Sequence, residues 1–194
     1  QVFSSSRDTR LIKRGSCSEV DMDELWEDVA ETIKSVILKM GPGSKILAAA
    51  VSGQGEGLWL IDKDGKPIGR AILWNDSRAE SLVTELENNS PISESIFKIT
   101  GSPLFPGATS VLLRWLKDNK PEQIAKAHNL MFCKDWIRYK LTNLISTDTT
   151  DASTSLLNLE TGTTSVELFD HLKIKNLFPL IPKNIFYFFE YFND

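Results

Sequence analysis

The sequence predicts an α/β domain, a mixed sheet flanked by helices, and three observations predict it. An amphipathic helix pattern, DMDELWEDVAETIKSVILKM at 21–40, leads into a nearly unbroken apolar run, KILAAAVS at 45–52. A hairpin pattern follows, with GLWLID and PIGRAIL meeting at DKDGK. Helical segments then alternate with short apolar runs, the pattern of a chain that covers a sheet with helices.

Each element has a local reason. In 21–40, Met22, Leu25, Trp26, Val29, Ile33, Val36, Ile37 and Met40 share one helical face. Asp21 caps the helix with Glu24 three residues on, and Gly41-Pro42 stops it. The run 45–52 reads as a strand covered on both faces, because no alternate position is polar. Asp64-Gly65 marks the hairpin turn. Helices are expected over 78–87 and 109–119, with a short one over 121–128 where Pro121 stands near the first turn. LMFCK at 130–134 reads as a second buried strand, and Asp135 as the cap of a helix over DWIRYKLT. The polar stretch 146–154 reads as loop, SLLNLETG as a short strand and turn, and SVELFDHL as a helix. Trp26 and Trp115 fall on apolar helical faces and are expected in the core.

Bulk properties bound the function. The chain has 194 residues, suited to one domain or a large part of one. Hydrophobic residues make up 41% and charged residues 25%, enough for a packed core. A net charge of −4 supplies no broad positive field for nucleic acid or an anionic membrane. The basic stretch RLIKR at 10–14 reads as a solvated strand or loop face. Cys17 and Cys133 form no CxxC and read as reduced thiols; His128 and His171 lie in unrelated segments. No run approaches the ~18–20 apolar residues of a membrane span, and the N-terminus has no signal-peptide pattern, so a cytoplasmic protein is expected. The missing initiator Met and the aromatic-rich stretch from Phe186 to Phe192 create the expectation of a partial chain.

Glu56 lies between Gly55 and Gly57 just after the run 45–52. Gly53, Gly55 and Gly57 permit close backbone approach to a ligand, and an ionised Glu56 accepts strong hydrogen bonds. The alternative is a glycine-rich turn with an exposed Glu. Asn75 and Asp76 after Trp74 likewise read as lining or buttressing a site, or with Ser77 as a helix N-cap box with Arg78 paired to a local acid, and the two readings are compatible.

VSGQGEGLWLIDKDGKPIGRAILWNDSRAE at 51–80 resembles the substrate-domain segment of the FGGY carbohydrate kinases: buried strand, Ser-Gly-Gln, a variable pair, Gly, an Asp-Gly hairpin, then Ile-Leu-Trp-Asn-Asp-x-Arg. EVDMDELWEDV, TGSPLFPGATSVLLRWLKDNKPE and MFCKDWIRYKLTNLISTDTTDASTSLLNLETG resemble the family's other blocks in the same order, covering roughly residues 19–180. The blocks lean toward the xylulokinase and L-xylulose kinase branch. Leu112 stands where the family usually has Lys, as in L-xylulose kinase-like members. Gly55-Glu56 replaces the Met-His of D-xylulokinases and the Arg-Glu of glycerol kinases, so the identity of the sugar stays open.

The resemblance implies an actin-like, ribonuclease H-like fold, with 1–194 an incomplete N-terminal substrate-binding domain. It implies a small sugar or polyol as ligand, bound by Gln54, Gly55, Glu56, Asn75 and Asp76, and homodimers among longer relatives. Trp59 reads either as core or as a flank of the pocket, Thr109 is expected to cap its helix, and Asp148, Thr149 and Asp151 resemble positions near a domain cleft. Family members phosphorylate their substrate, here a ketopentose such as xylulose or L-xylulose, with ATP and Mg²⁺. The family's phosphate loop and catalytic Asp have no match in this chain. No catalytic residue is therefore assigned, tight ATP or Mg²⁺ binding is not expected, and the chain is expected to be inactive alone. The alternatives are a non-catalytic remnant or sugar-binding module, or a kinase for another polyol such as glycerol or erythritol.

Overall fold

The computed structural model describes residues 2–186; the rest of the aromatic-rich stretch lies outside them. The chain opens with a hairpin of β1 (Leu11–Arg14) and β2 (Cys17–Val20), followed by α1 (Met22–Met40). β3 (Trp59–Ile61), β4 (Ala71–Ile72), α2 (Glu80–Glu87), α3 (Ser90–Thr100), α4 (Thr109–Asn119), α5 (Pro121–Ile124) and β5 (Asn129–Met131) come next. The remainder holds α6 (Cys133–Thr142), β6 (Thr147–Asp148), α7 (Thr149–Ser155), β7 (Leu157–Asn158), β8 (Thr163–Thr164), α8 (Val166–His171) and β9 (Ile185–Phe186).

β1, β2 and β4 form one antiparallel sheet and β3 pairs antiparallel with β5. A bridge between Leu58 and Ile72 joins the two. β6 pairs parallel with β9, and β7 antiparallel with β8.

Strand alternation explains the layers. Leu58, Leu60, Ile72 and Leu130 enter a core cluster with residues of α2, α3, α4 and α8. Trp59, Ile61, Ala71, Leu73 and Met131 enter a second cluster, with Met22, Trp136 and Ile137. Successive side chains point to opposite faces, so a strand apolar at every position is buried on both. α1 and α6 cover the second face, tied where Trp136 Nε1 donates to Met22 O at 2.8 Å. Asp21 caps α1 as expected, accepting from Asp23 N and Glu24 N. Trp26 and Trp115 pack as partly buried residues against the second and first clusters.

Several expectations are corrected. The run 45–52 is not a strand: Ile46 is 57% and Leu47 94% exposed, and only Val51 packs against the core. An apolar run becomes a buried strand only where neighbours pair its backbone and helices cover its faces, and no described segment does either. Residues 149–155 are helical, because Asp148 accepts from Thr150 N and Asp151 N and so starts α7. Asp135 does not precede its helix; α6 begins at Cys133 and Asp135 reaches back to Phe132 N at 3.2 Å. The unanticipated α3 has Pro91 in its first turn and ends on left-handed Gly101. Trp59 is fully buried and does not flank a pocket, because it alternates with Leu58 and Leu60 into the second cluster.

Candidate functional site

Glu56 lies on the loop before β3 in the left-handed region, with φ 57°. Such a conformation costs about 1–3 kcal/mol for a non-glycine residue and persists where the surroundings over-determine it. Here they do. Glu56 Oε2 accepts from Thr109 N at 2.8 Å and Ser155 Oγ at 2.9 Å. Thr109 Oγ1 lies 2.8 Å from the same oxygen and 2.7 Å from Gly57 O, its single proton serving one acceptor at a time. Glu56 is only 7% exposed, and its Oε1 is buried without a hydrogen-bond partner among the described residues. One carboxylate oxygen is saturated and the other is unused. A buried unbonded acceptor costs about 1–3 kcal/mol, so its presence needs a reason.

Two glycines fix the backbone around it. Gly57 N donates to Gly107 O at 3.1 Å, and a Cβ on Gly57 would stand 2.4 Å from Ile72 O. A Cβ on Gly107 would stand 1.7 Å from Trp74 O. Segments 56–57, 72–74 and 107–109 are thereby in backbone contact, which brings both Glu56 and the turn after β4 next to the start of α4.

The other expected site residues lie around this junction. Gln54 and Gly55 are half-buried on the same loop. The Cys133 thiol is pushed up to about 11 by burial, partly offset by the Gln54 backbone hydrogen bond, so it stays protonated. A Cβ on Gly55 would lie 3.3 Å from Asp151 Oδ1. Asn75 is exposed in the turn, beside Trp74, which is 52% exposed.

Asp76 is committed elsewhere. Its buried carboxylate accepts from Ser18 N at 2.6 Å, Arg78 N at 2.9 Å and Arg78 Nε at 2.8 Å, and Arg78 continues to Glu19 at 2.6 Å. The N-cap reading of Asn75-Asp76-Ser77 is corrected: α2 follows Ala79 with no side-chain cap, because Arg78 and Ser18 occupy Asp76.

Thr109, Ser155, Lys134 and Asp151 complete the neighbourhood. Thr109 is not a cap; its backbone N–H, one of those a helix start leaves free, goes to Glu56. Lys134 Nζ lies 2.9 Å from Asp148 Oδ1 and 3.2 Å from Asp151 Oδ2, and donates to Thr150 Oγ1 at 2.6 Å. Burial works against the Lys134 cation, but the two carboxylates outweigh it and raise its pKa. Burial raises the Asp151 carboxyl, Lys134 pulls it back, and Asp148 and Glu56 push it up again.

Asp135, behind this cluster, gives a pH prediction. Burial pushes its pKa up to about 6, with Arg138 at 2.8 Å pulling the other way. A carboxyl raised above its unfolded value near 3.9 contributes stability that is complete below that value and lost as pH rises through about 6. The stability difference between the unaltered chain and Asp135→Asn, measured by urea unfolding, therefore changes by an amount on the order of 1–3 kcal/mol between about pH 4 and 6. A difference flat across that range contradicts the assignment.

The comparisons with known proteins identify the family. The N-terminal domain of the FGGY family of carbohydrate kinases matches residues 4–184. The chain belongs to that family. It is 34% identical over 167 residues to L-xylulose/3-keto-L-gulonate kinase of Escherichia coli, covering 85% of this chain and 33% of the relative. It is 33% identical over 162 residues to erythritol kinase of Brucella abortus, covering 81% and 31%. The ligand-bound xylulose kinase structure from Lactobacillus acidophilus superposes with a TM-score of 0.86 at 33% identity, over 95% of this chain and 37% of that one. The FGGY N-terminal domain has the actin-like α/β fold, and the chain spans about a third of the length of the curated relatives it matches.

The family uses ATP and a divalent metal ion in general, and the carboxylates of this cluster are not free to hold such an ion. Asp148 and Asp151 are already bound to Lys134, and no three His, Cys, Asp or Glu among the described residues are grouped to hold an ion.

Proposed function

We propose that this chain is a partial N-terminal substrate-binding domain, residues 1–194, of a kinase that phosphorylates a ketopentose such as xylulose or L-xylulose with ATP. Glu56 forms the acceptor wall of the sugar site, Gln54 and Gly55 continue that wall, Asn75 stands at its rim, and Asp76 braces the turn from behind. One observation carries the reading: Glu56 is held in a strained conformation by donors from two helices, with one oxygen saturated and the other unbonded. A sugar hydroxyl is the donor that this second oxygen lacks, and a charge-assisted bond is stronger than a neutral one. Oε1 is closed off from solvent, so the groups that cover it move aside for the sugar while Oε2 stays bonded to Thr109 and Ser155. Strain at a defined backbone position is a recognised basis for a functional hypothesis. The erythritol kinase relative supports a second reading, a linear polyol in place of the ketose. A cytoplasmic location is part of the proposal; among the described residues no helix is long and apolar enough to cross a membrane.

Calorimetric titration of the chain with L-xylulose, D-xylulose, erythritol and glycerol tests this. Saturable binding of one of them is the expected outcome. A chain with a cooperative thermal transition that binds none would overturn the assignment.

A further inference from the structure

We propose that Asp151 is a specificity-determining residue of the Glu56 site: with Glu56 it makes the site doubly anionic, so that the ligand is a neutral ketose or polyol and sugar acids are rejected. The inference rests on the reading of Glu56 as the sugar acceptor. Neutral ketoses and sugar acids are the two ligand classes to be told apart, since the Escherichia coli relative is named for one of each, L-xylulose and 3-keto-L-gulonate.

Asp151 packs against the loop next to Glu56: its Oδ1 lies 3.3 Å from the Cβ position of Gly55, whose missing side chain leaves it room, and Ser155, on the same helix as Asp151, donates to Glu56 Oε2. Glu56 and Asp151 are both only 7% exposed. Each of the donors to Glu56 is neutral, one backbone N–H and two hydroxyls. The nearby cation is Lys134, shared between Asp148 and Asp151. Arg138 approaches Asp148 to 4.0 Å but pairs more closely with Asp135, at 2.8 Å. Setting Arg138 against Asp135, three carboxylates (Glu56, Asp148, Asp151) face one ammonium, a balance of two negative charges. The upward push that Glu56 exerts on the Asp151 carboxyl is the same repulsion seen from the protein side.

A hydroxyl brings no charge into this field and donates to Glu56 Oε1. A sugar carboxylate adds another negative charge where little water screens it, and like-charge juxtaposition is a strong basis for rejecting a ligand. Glu56 serves as acceptor for any sugar; Asp151 is the group whose removal changes which sugars are admitted.

The test is a matched pair, L-xylulose and xylonate, titrated calorimetrically into the unaltered chain and into Asp151→Asn at about pH 8, above the ordinary carboxylate range. The expected result is binding of L-xylulose roughly tenfold or more tighter than xylonate, with the ratio falling severalfold in the variant. A purely structural Asp151 would weaken both ligands together and leave the ratio unchanged. If Asp151→Asn loses its cooperative thermal transition, Asp151→Ser, smaller at the same place, carries the comparison. Xylonate binding as tightly as L-xylulose in the unaltered chain, or a ratio that the variant does not move, overturns the inference and leaves the sugar site standing. Binding of neither ligand, nor of any other sugar, overturns the reading of Glu56 and this inference with it.

Discussion

Glu56→Gln lowers the affinity of the chain for its sugar by roughly 10- to 100-fold, the equivalent of one hydrogen bond to a charged group, about 1.5–3 kcal/mol. Glutamine keeps the length and shape of glutamate. Its amide oxygen still accepts from Thr109 N and Ser155 Oγ, so the loop remains tied to α4 and α7. Its NH₂ group then stands where Oε1 stood, and a donor meets the hydroxyl that should donate. Charge and complementarity are lost while packing is kept. The thermal transition accordingly moves little, and calorimetry reads the affinity. Equal affinity in the variant and the unaltered chain would remove Glu56 from the site.

Asp76→Ala acts on stability, by about 3–5 kcal/mol, the usual cost of leaving one member of a buried ion pair without the other. Asp76 bonds Ser18 N on β2 and clamps Arg78, whose side chain is almost wholly buried and whose remaining acid is Glu19. Removing the carboxylate leaves two backbone donors open, Ser18 N and Arg78 N, and halves the compensation of a buried guanidinium. For a chain of this size that corresponds to a fall of about 6–20 °C in Tm. Sugar affinity changes through the turn alone, because Asp76 is turned toward β2. A loss below about 1 kcal/mol in urea unfolding would show that Arg78 finds other partners and that the network is not the brace described.

The two variants separate what was legible in the chain from what was not. α1, with its Asp21 cap and apolar stripe, was readable because a long helix carries its boundary signals in its own residues. So was the turn after β3, where Gly65 N donates to Asp62 O. Short elements were not. α7 depends on one capping carboxylate within a polar stretch that also suits a loop. The run 45–52 has the composition of a buried strand but lacks paired neighbours among the described residues, and composition does not report neighbours.

At the candidate site the loop was visible in its glycines and its lone acid. What holds the acid was not: Thr109 and Ser155 lie 53 and 99 positions from Glu56. No local spacing rule connects residues so far apart. For Asp76 the pairing of Arg78 with a nearby acid is legible in the sequence and present in the structure, while the contact to Ser18, 58 positions away, follows from neither the site reading nor the cap reading.

The most direct test of the proposed site is a crystal structure of the chain with L-xylulose. The expected result is a sugar hydroxyl within about 3.2 Å of Glu56 Oε1, donating to it, while Oε2 keeps its bonds to Thr109 and Ser155. A bound sugar that leaves Glu56 Oε1 buried and unbonded would contradict the assignment.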